Sequence, residues 1–202
     1  FFLVLNSYLK DRCFYVKIND EISNICEIKA GIPQGSVLGP VLYTIFTSDM
    51  PVSEHVTVAT YADDTALMSS NDSKIEASSL VQNHLNIISI WLKKCNICVN
   101  AEKSTHITFT LRKGYCSLIV LNGEEIPNSD CVKYLGMHLD RRLTWKNHIK
   151  AKKEHLNMKT KRMFWLLGQR SELSLENKVL LYKTILTPVW TYGIQLWGTA
   201  SN

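Results

Sequence analysis

Apolar and polar positions change period several times along this 202-residue chain. Between residues 12 and 30, Phe14, Val16, Ile18, Ile22, Ile25 and Ile28 alternate loosely with polar neighbours, which predicts short strands around a turn at Asn19-Asp20. AGIPQGS reads as a Gly/Pro loop. After it, Val37, Leu38, Val41, Leu42, Ile45 and Phe46 recur at helical spacing, with Gly39-Pro40 in the first turn. VATYADDTALMS reads as strand, turn and strand. Ser73 and Glu76 then form a capping box. It opens a long helix with Leu80, Val81, Leu85, Ile88, Trp91 and Leu92 on one face and Lys93-Lys94 at its end. THITFTL predicts another strand, SLIVLNGEEI a hairpin with a type I′ turn at Asn122-Gly123, and VKYLGMHL a further strand. From Trp145 onward, Trp145, Ile149, Leu156, Met163 and Leu167 mark a basic amphipathic helix. A second helix begins near Ser174 and is kinked or broken at Pro188. The order is α+β first and nearly all helix after Asp140, so a boundary is expected there, giving segments 1–140 and 141–202.

Composition narrows the class. With 46% hydrophobic and 20% charged residues the chain can build a real core, and neither a disordered tail nor a coiled coil fits. FFLVLNSYLK has no basic segment ahead of its apolar run, and that run is too short for a signal peptide. Nothing reaches transmembrane length. The expectation is an interior piece of a longer intracellular protein, with nucleus and cytoplasm not distinguishable and no membrane partner; the oligomeric state is not legible. Six scattered cysteines read as free thiols. CNIC has zinc-knuckle spacing, but no second Cys or His pair completes it. The net charge of +5 is unevenly placed. Residues 141–170 hold ten Lys or Arg and one acid, a local +9 that suits a polyanionic partner.

The candidate chemistry lies at Asp63 and Asp64. Adjacent carboxylates repel each other and resist desolvation. An exposed turn would tolerate them. The apolar flanks instead suggest burial, and there a cation would remove the penalty. Mg²⁺ suits the purpose because it takes few carboxylates and keeps its other positions for water and phosphate. Two such ions can activate an attacking oxygen and stabilise a leaving pyrophosphate.

AGIPQGSVLGPVLY, TSDMP and YADD, in this order and spacing, resemble the palm of a reverse transcriptase of the non-LTR retrotransposon class, most like jockey-type elements. The resemblance continues through NAEKSTHITF, VKYLGMHLD and YKTILTPVWTYGIQLWG, so it covers nearly the whole chain. It implies a partial palm, an antiparallel sheet with packed helices, followed by a helical thumb. Asp63 and Asp64 would be catalytic carboxylates that ligate metal, with Asp63 the more direct ligand and Tyr61 beside the primer end. Gly31, Pro33, Gln34, Gly35 and Ser36 would contact the incoming nucleotide and template. Lys103 would approach the triphosphate. Tyr134, Leu135 and Gly136 would form a primer grip. Lys146, Lys150 and Lys153 would hold duplex phosphates. The implied partners are an RNA template, a DNA primer and deoxynucleoside triphosphates, with two Mg²⁺ in the complete enzyme.

The resemblance also implies a third aspartate on an earlier strand. Asp11 in SYLKDRCF and Asp20 in a turn do not fit that place, so this carboxylate is expected upstream of Phe1 and the chain alone is expected to be inactive. Two other classes stay open: a non-catalytic remnant that binds nucleic acid through the basic helix, and an RNA-dependent RNA polymerase palm, against which the Pro-Gln-Gly block argues.

Overall fold

A computed structural model describes residues 1–33, 35–112 and 116–200. They form two compact units, Phe1–Met68 and the remainder from Ser69 onward. All paired strands are antiparallel and two-stranded, five pairs in all among the described residues, so the single sheet expected from the sequence is divided into hairpins. The long helices and short hairpins alternate as a mixed α and β fold.

The first unit opens with helix α1 (Phe2–Leu9), which the sequence pattern did not reveal because its apolar residues follow no single face. Strands β1 (Cys13–Phe14), β2 (Lys17–Ile18), β3 (Glu21–Ile22) and β4 (Cys26–Glu27) nest as β1 with β4 around β2 with β3. The inner turn is Asn19-Asp20, as its sequence predicts, with Asn19 at φ 54°. Helix α2 (Leu38–Phe46) follows the Gly/Pro loop, and β5 (Thr57–Tyr61) pairs with β6 (Asp64–Met68). Val56 is the one buried hydrophobic residue described in this unit, and Phe2, Val37 and Ile45 are exposed.

The second unit holds the other buried hydrophobic residues described. Helix α3 (Lys74–Lys94) is capped by Ser73 Oγ, which accepts from the Glu76 N–H, and ends in Lys93-Lys94 as expected. Its Leu85, Ile88, Trp91 and Leu92 are buried, along with Ala101, Ile119, Leu121 and Ile126. Strand β7 (Val120–Leu121) turns through Asn122 (φ 53°) and Gly123 (φ 88°) into β8 (Glu124–Glu125), the type I′ signature. Gln82 of α3 finishes the free edge of β7: its amide donates to Val120 C=O (2.9 Å) and accepts from Val120 N–H (2.7 Å). This side chain does the work of a peptide group on a neighbouring strand.

Two strand expectations change. THITFTL is not a ladder strand: His106 bridges to Asn128, and Thr110 N–H turns to Arg141 C=O. The facing segment contains Pro127, which has no N–H to extend a ladder. VKYLGMHL is not one strand but a hairpin, β9 (Cys131–Tyr134) and β10 (Met137–Asp140), turning at Leu135 (φ 44°) and Gly136 (φ 77°).

Helix α4 (Lys146–Arg162) packs on β10 and continues through Met163 into the short α5 (Phe164–Leu167). The expected apolar face is partly wrong: Ile149 is exposed, and His148 is the fully buried residue. Helix α6 (Leu175–Leu181), capped by Ser174 Oγ, passes through a π turn (Tyr182–Leu186) into α7 (Thr187–Thr191). The π turn is how the chain accommodates Pro188, which lacks an N–H and crowds the carbonyl four residues back. Helix α8 (Ile194–Trp197) follows Gly193. No described helix is long and apolar enough to cross a membrane.

Candidate functional site

In the first unit, the paired aspartates stand at the tip of the β5–β6 hairpin. Tyr61 pairs with Asp64 across the ladder, so Ala62 and Asp63 form a two-residue turn. Ala62 has φ 51° and Asp63 does not have a positive φ. That combination, positive φ at the first turn residue only, is the φ signature of a type II′ turn. An alanine there is strained, since glycine is the residue that adopts this region freely. The sequence expectation of a buried turn is not met: Tyr61, Asp63 and Asp64 are exposed. A two-stranded ribbon offers its tip no covering layer, which is why apolar flanks did not translate into burial.

Exposure leaves both carboxylates available. Neither accepts a hydrogen bond or forms an ion pair among the described residues. Two adjacent hard oxygen donors fit Mg²⁺, which uses few protein carboxylates. No cluster of three His, Cys, Asp or Glu suited to a metal occurs among the described residues, so the pair is a partial ligand set. Asp11, at φ 55° just past α1, and Asp20, in the β2–β3 turn, do not join it.

The Gly/Pro loop is fixed from α1 and its exit. Tyr8 hydroxyl donates to Ser36 Oγ, and the Arg12 guanidinium donates to Gly31 C=O. Ser36 Oγ also accepts from Gly39 N–H (2.9 Å), capping the start of α2. Gly31 (φ 83°) and Gly35 (φ 80°) have open space where a Cβ would sit, so backbone conformation rather than crowding requires glycine there. Pro33 lies between them, and Gln34 lies outside the described residues. Tyr8 and Arg12 carried no sequence signal for this role, because they act across 28 and 19 residues of chain.

In the second unit, Lys103 is exposed on a turn organised by Asn100, whose Oδ1 accepts from Lys103 N–H (3.1 Å). The β9–β10 turn is clamped from α7's far end. Tyr192 hydroxyl donates to Leu135 C=O (2.7 Å), and a Cβ on Gly136 would lie 3.5 Å from the Tyr192 ring. The Lys152 ammonium sits 4.9 Å from the centre of the same ring. Burial, and then the nearby Lys133, lower the Lys152 pKa. Tyr134 occupies the last strand position before this turn, half-buried.

Below the turn, Asp140 organises the entry to α4. Its carboxylate accepts from Arg142 N–H (3.1 Å), Thr144 N–H (3.0 Å), Thr144 Oγ1–H (3.1 Å) and Trp145 N–H (2.8 Å). Desolvation pushes its pKa up, but these donors outweigh it and hold the carboxyl below its ordinary value. His148, one turn into α4, accepts at Nδ1 from His138 N–H (3.2 Å), which puts its own proton on Nε2. Its ring lies 6.1 Å from Trp145 and 5.6 Å from Trp197, and burial, followed by Lys152 and His138, lowers its pKa. With α4 docked in this way, Lys146, Lys150 and Lys153 stay exposed on the outer face, at spacings of four and three residues.

The family model for reverse transcriptase (RNA-dependent DNA polymerase) matches residues 2–139. Along its whole length the chain is 43% identical to the RNA-directed DNA polymerase from mobile element jockey of Drosophila melanogaster and 39% identical to the one from Drosophila funebris. It is 38% identical to the probable RNA-directed DNA polymerase from transposon X-element of Drosophila melanogaster, again over its whole length. In each case it spans 23% of the relative. No solved structure gives a significant match. The chain therefore belongs to the reverse transcriptase family, among the polymerases of non-LTR mobile elements.

Proposed function

We propose that this chain supplies the catalytic carboxylates and the duplex-holding surface of an RNA-directed DNA polymerase that extends a DNA primer on an RNA template. The observation that carries the reading is the Asp63-Asp64 pair, held at a strained two-residue turn with both carboxylates unpartnered among the described residues, in a chain of this family. Residues 1–140 act as a partial palm and 141–202 as a thumb. This division follows charge rather than packing, since α4 rests on β10.

Asp63 and Asp64 would hold Mg²⁺, which supplies activation of the primer 3′-hydroxyl and stabilisation of the leaving pyrophosphate. Tyr61, next to the turn, supports the primer end. Gly31, Pro33, Gln34, Gly35 and Ser36 contact the incoming deoxynucleotide and the template base. Lys103 gives the departing pyrophosphate a proton. The turn of Tyr134, Leu135 and Gly136 positions the primer strand, and Tyr192 keeps that turn in place. Lys146, Lys150 and Lys153 neutralise duplex phosphates without reading bases. The apolar surface exposed on α1 and α2 is more than an isolated unit tolerates well, which suits a part that works within a longer, intracellular polymerase.

The experiment is primer extension by a chimera in which this chain replaces the matching segment of the Drosophila melanogaster jockey polymerase. The reading expects incorporation of deoxynucleotides on an RNA template. Incorporation of ribonucleotides instead would identify an RNA polymerase, and hybrid binding without synthesis would identify a binding remnant.

A further inference from the structure

The outer face of α4 does not end with its lysines. Lys146, Lys150, Lys153, Asn157, Thr160 and Phe164 follow one another at steps of four and three residues, a single stripe along α4 and across Met163 into α5. The character of the stripe changes at Asn157. From there Asn157, Thr160, Lys161 and Phe164 line an open, shallow hollow of about 370 Å³. Phe164 is 68% exposed and Trp165 beside it 74%, two large rings that the fold leaves uncovered. Gly168 sits beside Phe164: a Cβ there would come within 2.7 Å of the Phe164 C=O and 3.4 Å of its ring, so glycine avoids crowding at this end of α5.

We propose that this hollow is a subsite for an unpaired nucleotide, one that continues a strand of the duplex held by the lysines. It rests on the reading of 141–202 as a nucleic-acid surface. The chemistry matches the ligand group by group. An exposed ring is a stacking platform for a base. The Asn157 amide both donates and accepts, as a base edge requires, and the Thr160 hydroxyl does the same. Lys161, with no ion-pair partner among the described residues, faces a phosphate. Lys153 and Phe164 are 11 positions apart, about 16 Å along a helix, so the hollow lies beyond the lysine row and not under it. A duplex hides its base faces except at its two ends, so along the strand it is an unpaired base that can use the ring. The local charge of +9 over residues 141–170 favours a nucleic acid over an acid-poor protein partner.

The test measures fluorescence anisotropy of this chain with two probes, an unpaired oligoribonucleotide and a blunt RNA–DNA hybrid, in the same buffer. Phe164→Ala should weaken the unpaired strand about 5-fold or more, the usual loss for one stacked base, and change the hybrid less than about 2-fold. Phe164→Tyr should restore binding, and Asn157→Ala should lower it without touching the hybrid. The proposal is overturned if wild type ignores the unpaired strand, if Phe164→Ala leaves that affinity unchanged, or if it weakens both probes alike; the rings would then belong to a protein contact. Hybrid binding alone would sink the subsite and keep the thumb reading. Phe164-dependent binding of the unpaired strand without hybrid binding would do the reverse.

Discussion

Replacing Asp140 by Ala should loosen the entry to α4. The change removes an acceptor shared by three backbone N–H groups and the Thr144 hydroxyl. Three of these bonds are exposed, so water replaces much of what is lost, and the net value of one hydrogen bond, about 1 kcal/mol, is the fair measure for them together. The Trp145 N–H is half-buried and bonded at 2.8 Å, which adds about another 1 kcal/mol. For a chain of 202 residues the resulting ~2 kcal/mol corresponds to a fall in Tm of about 4–8 °C. Because the folded Asp140 carboxyl is more acidic than the unfolded one, its contribution is complete above the ordinary aspartate value of 3.8 and is lost as pH drops through the folded value. The assay is thermal unfolding by circular dichroism of wild type, Asp140→Ala and Asp140→Asn from pH 7 to pH 3. The gap between wild type and Asp140→Ala should narrow towards acid, with Asp140→Asn between them at neutral pH. An unchanged Tm at pH 7, or a gap that widens in acid, would refute this account of the loop.

Other outcomes follow from the same structure. Changing Lys146, Lys150 and Lys153 together to Ala should weaken hybrid binding equally for all sequences and reduce the slope of log affinity against log salt by up to ~0.9 per lost phosphate contact; an unchanged slope would make them plain solvated surface. His148 and His106 both have pKa values lowered by burial from 6.5, so the stability they contribute is present above that value and falls as pH drops below it; denaturant titrations should show this, and His148→Met should flatten part of it. Gly136→Ala places a side chain at φ 77° and should lower stability by about 1 kcal/mol, read from the denaturant midpoint.

What the sequence shows best is local chemistry. Asn122-Gly123, Asn19-Asp20, Ser73 with Glu76, and Pro188 each act within a few residues, and each produces the turn, cap or kink that its chemistry predicts. Asp63 and Asp64 are found at their hairpin for the same reason. Features that depend on distant partners are not legible. Leu135-Gly136 lacks the Asn or Asp usual in a type I′ turn, and Tyr192, which secures it, lies 57 residues away. His148 reads as a polar position and is buried because Trp145, Trp197 and His138 surround it. Asp140 braces the loop that leads into α4, through Arg142, Thr144 and Trp145 rather than through the helix's own N–H groups, so no capping pattern announces it. The exposure of the Asp-Asp turn was missed because apolar neighbours in sequence say nothing about which layers pack over them.

The central claim is that the turn carrying Asp63 is where deoxynucleotides are joined. The direct measurement is the rate of RNA-templated primer extension by the chimera with the jockey polymerase, with and without Asp63→Asn, at matched hybrid affinity. Asn keeps the size of the side chain and one oxygen but removes the charge that holds a divalent cation. The account predicts synthesis by the parent chimera and a loss of about 10³-fold or more in the variant, on the scale of removing a principal electrostatic stabiliser of the transition state, with hybrid binding unchanged. Undiminished synthesis by Asp63→Asn would contradict it and take the chemistry away from the β5–β6 turn.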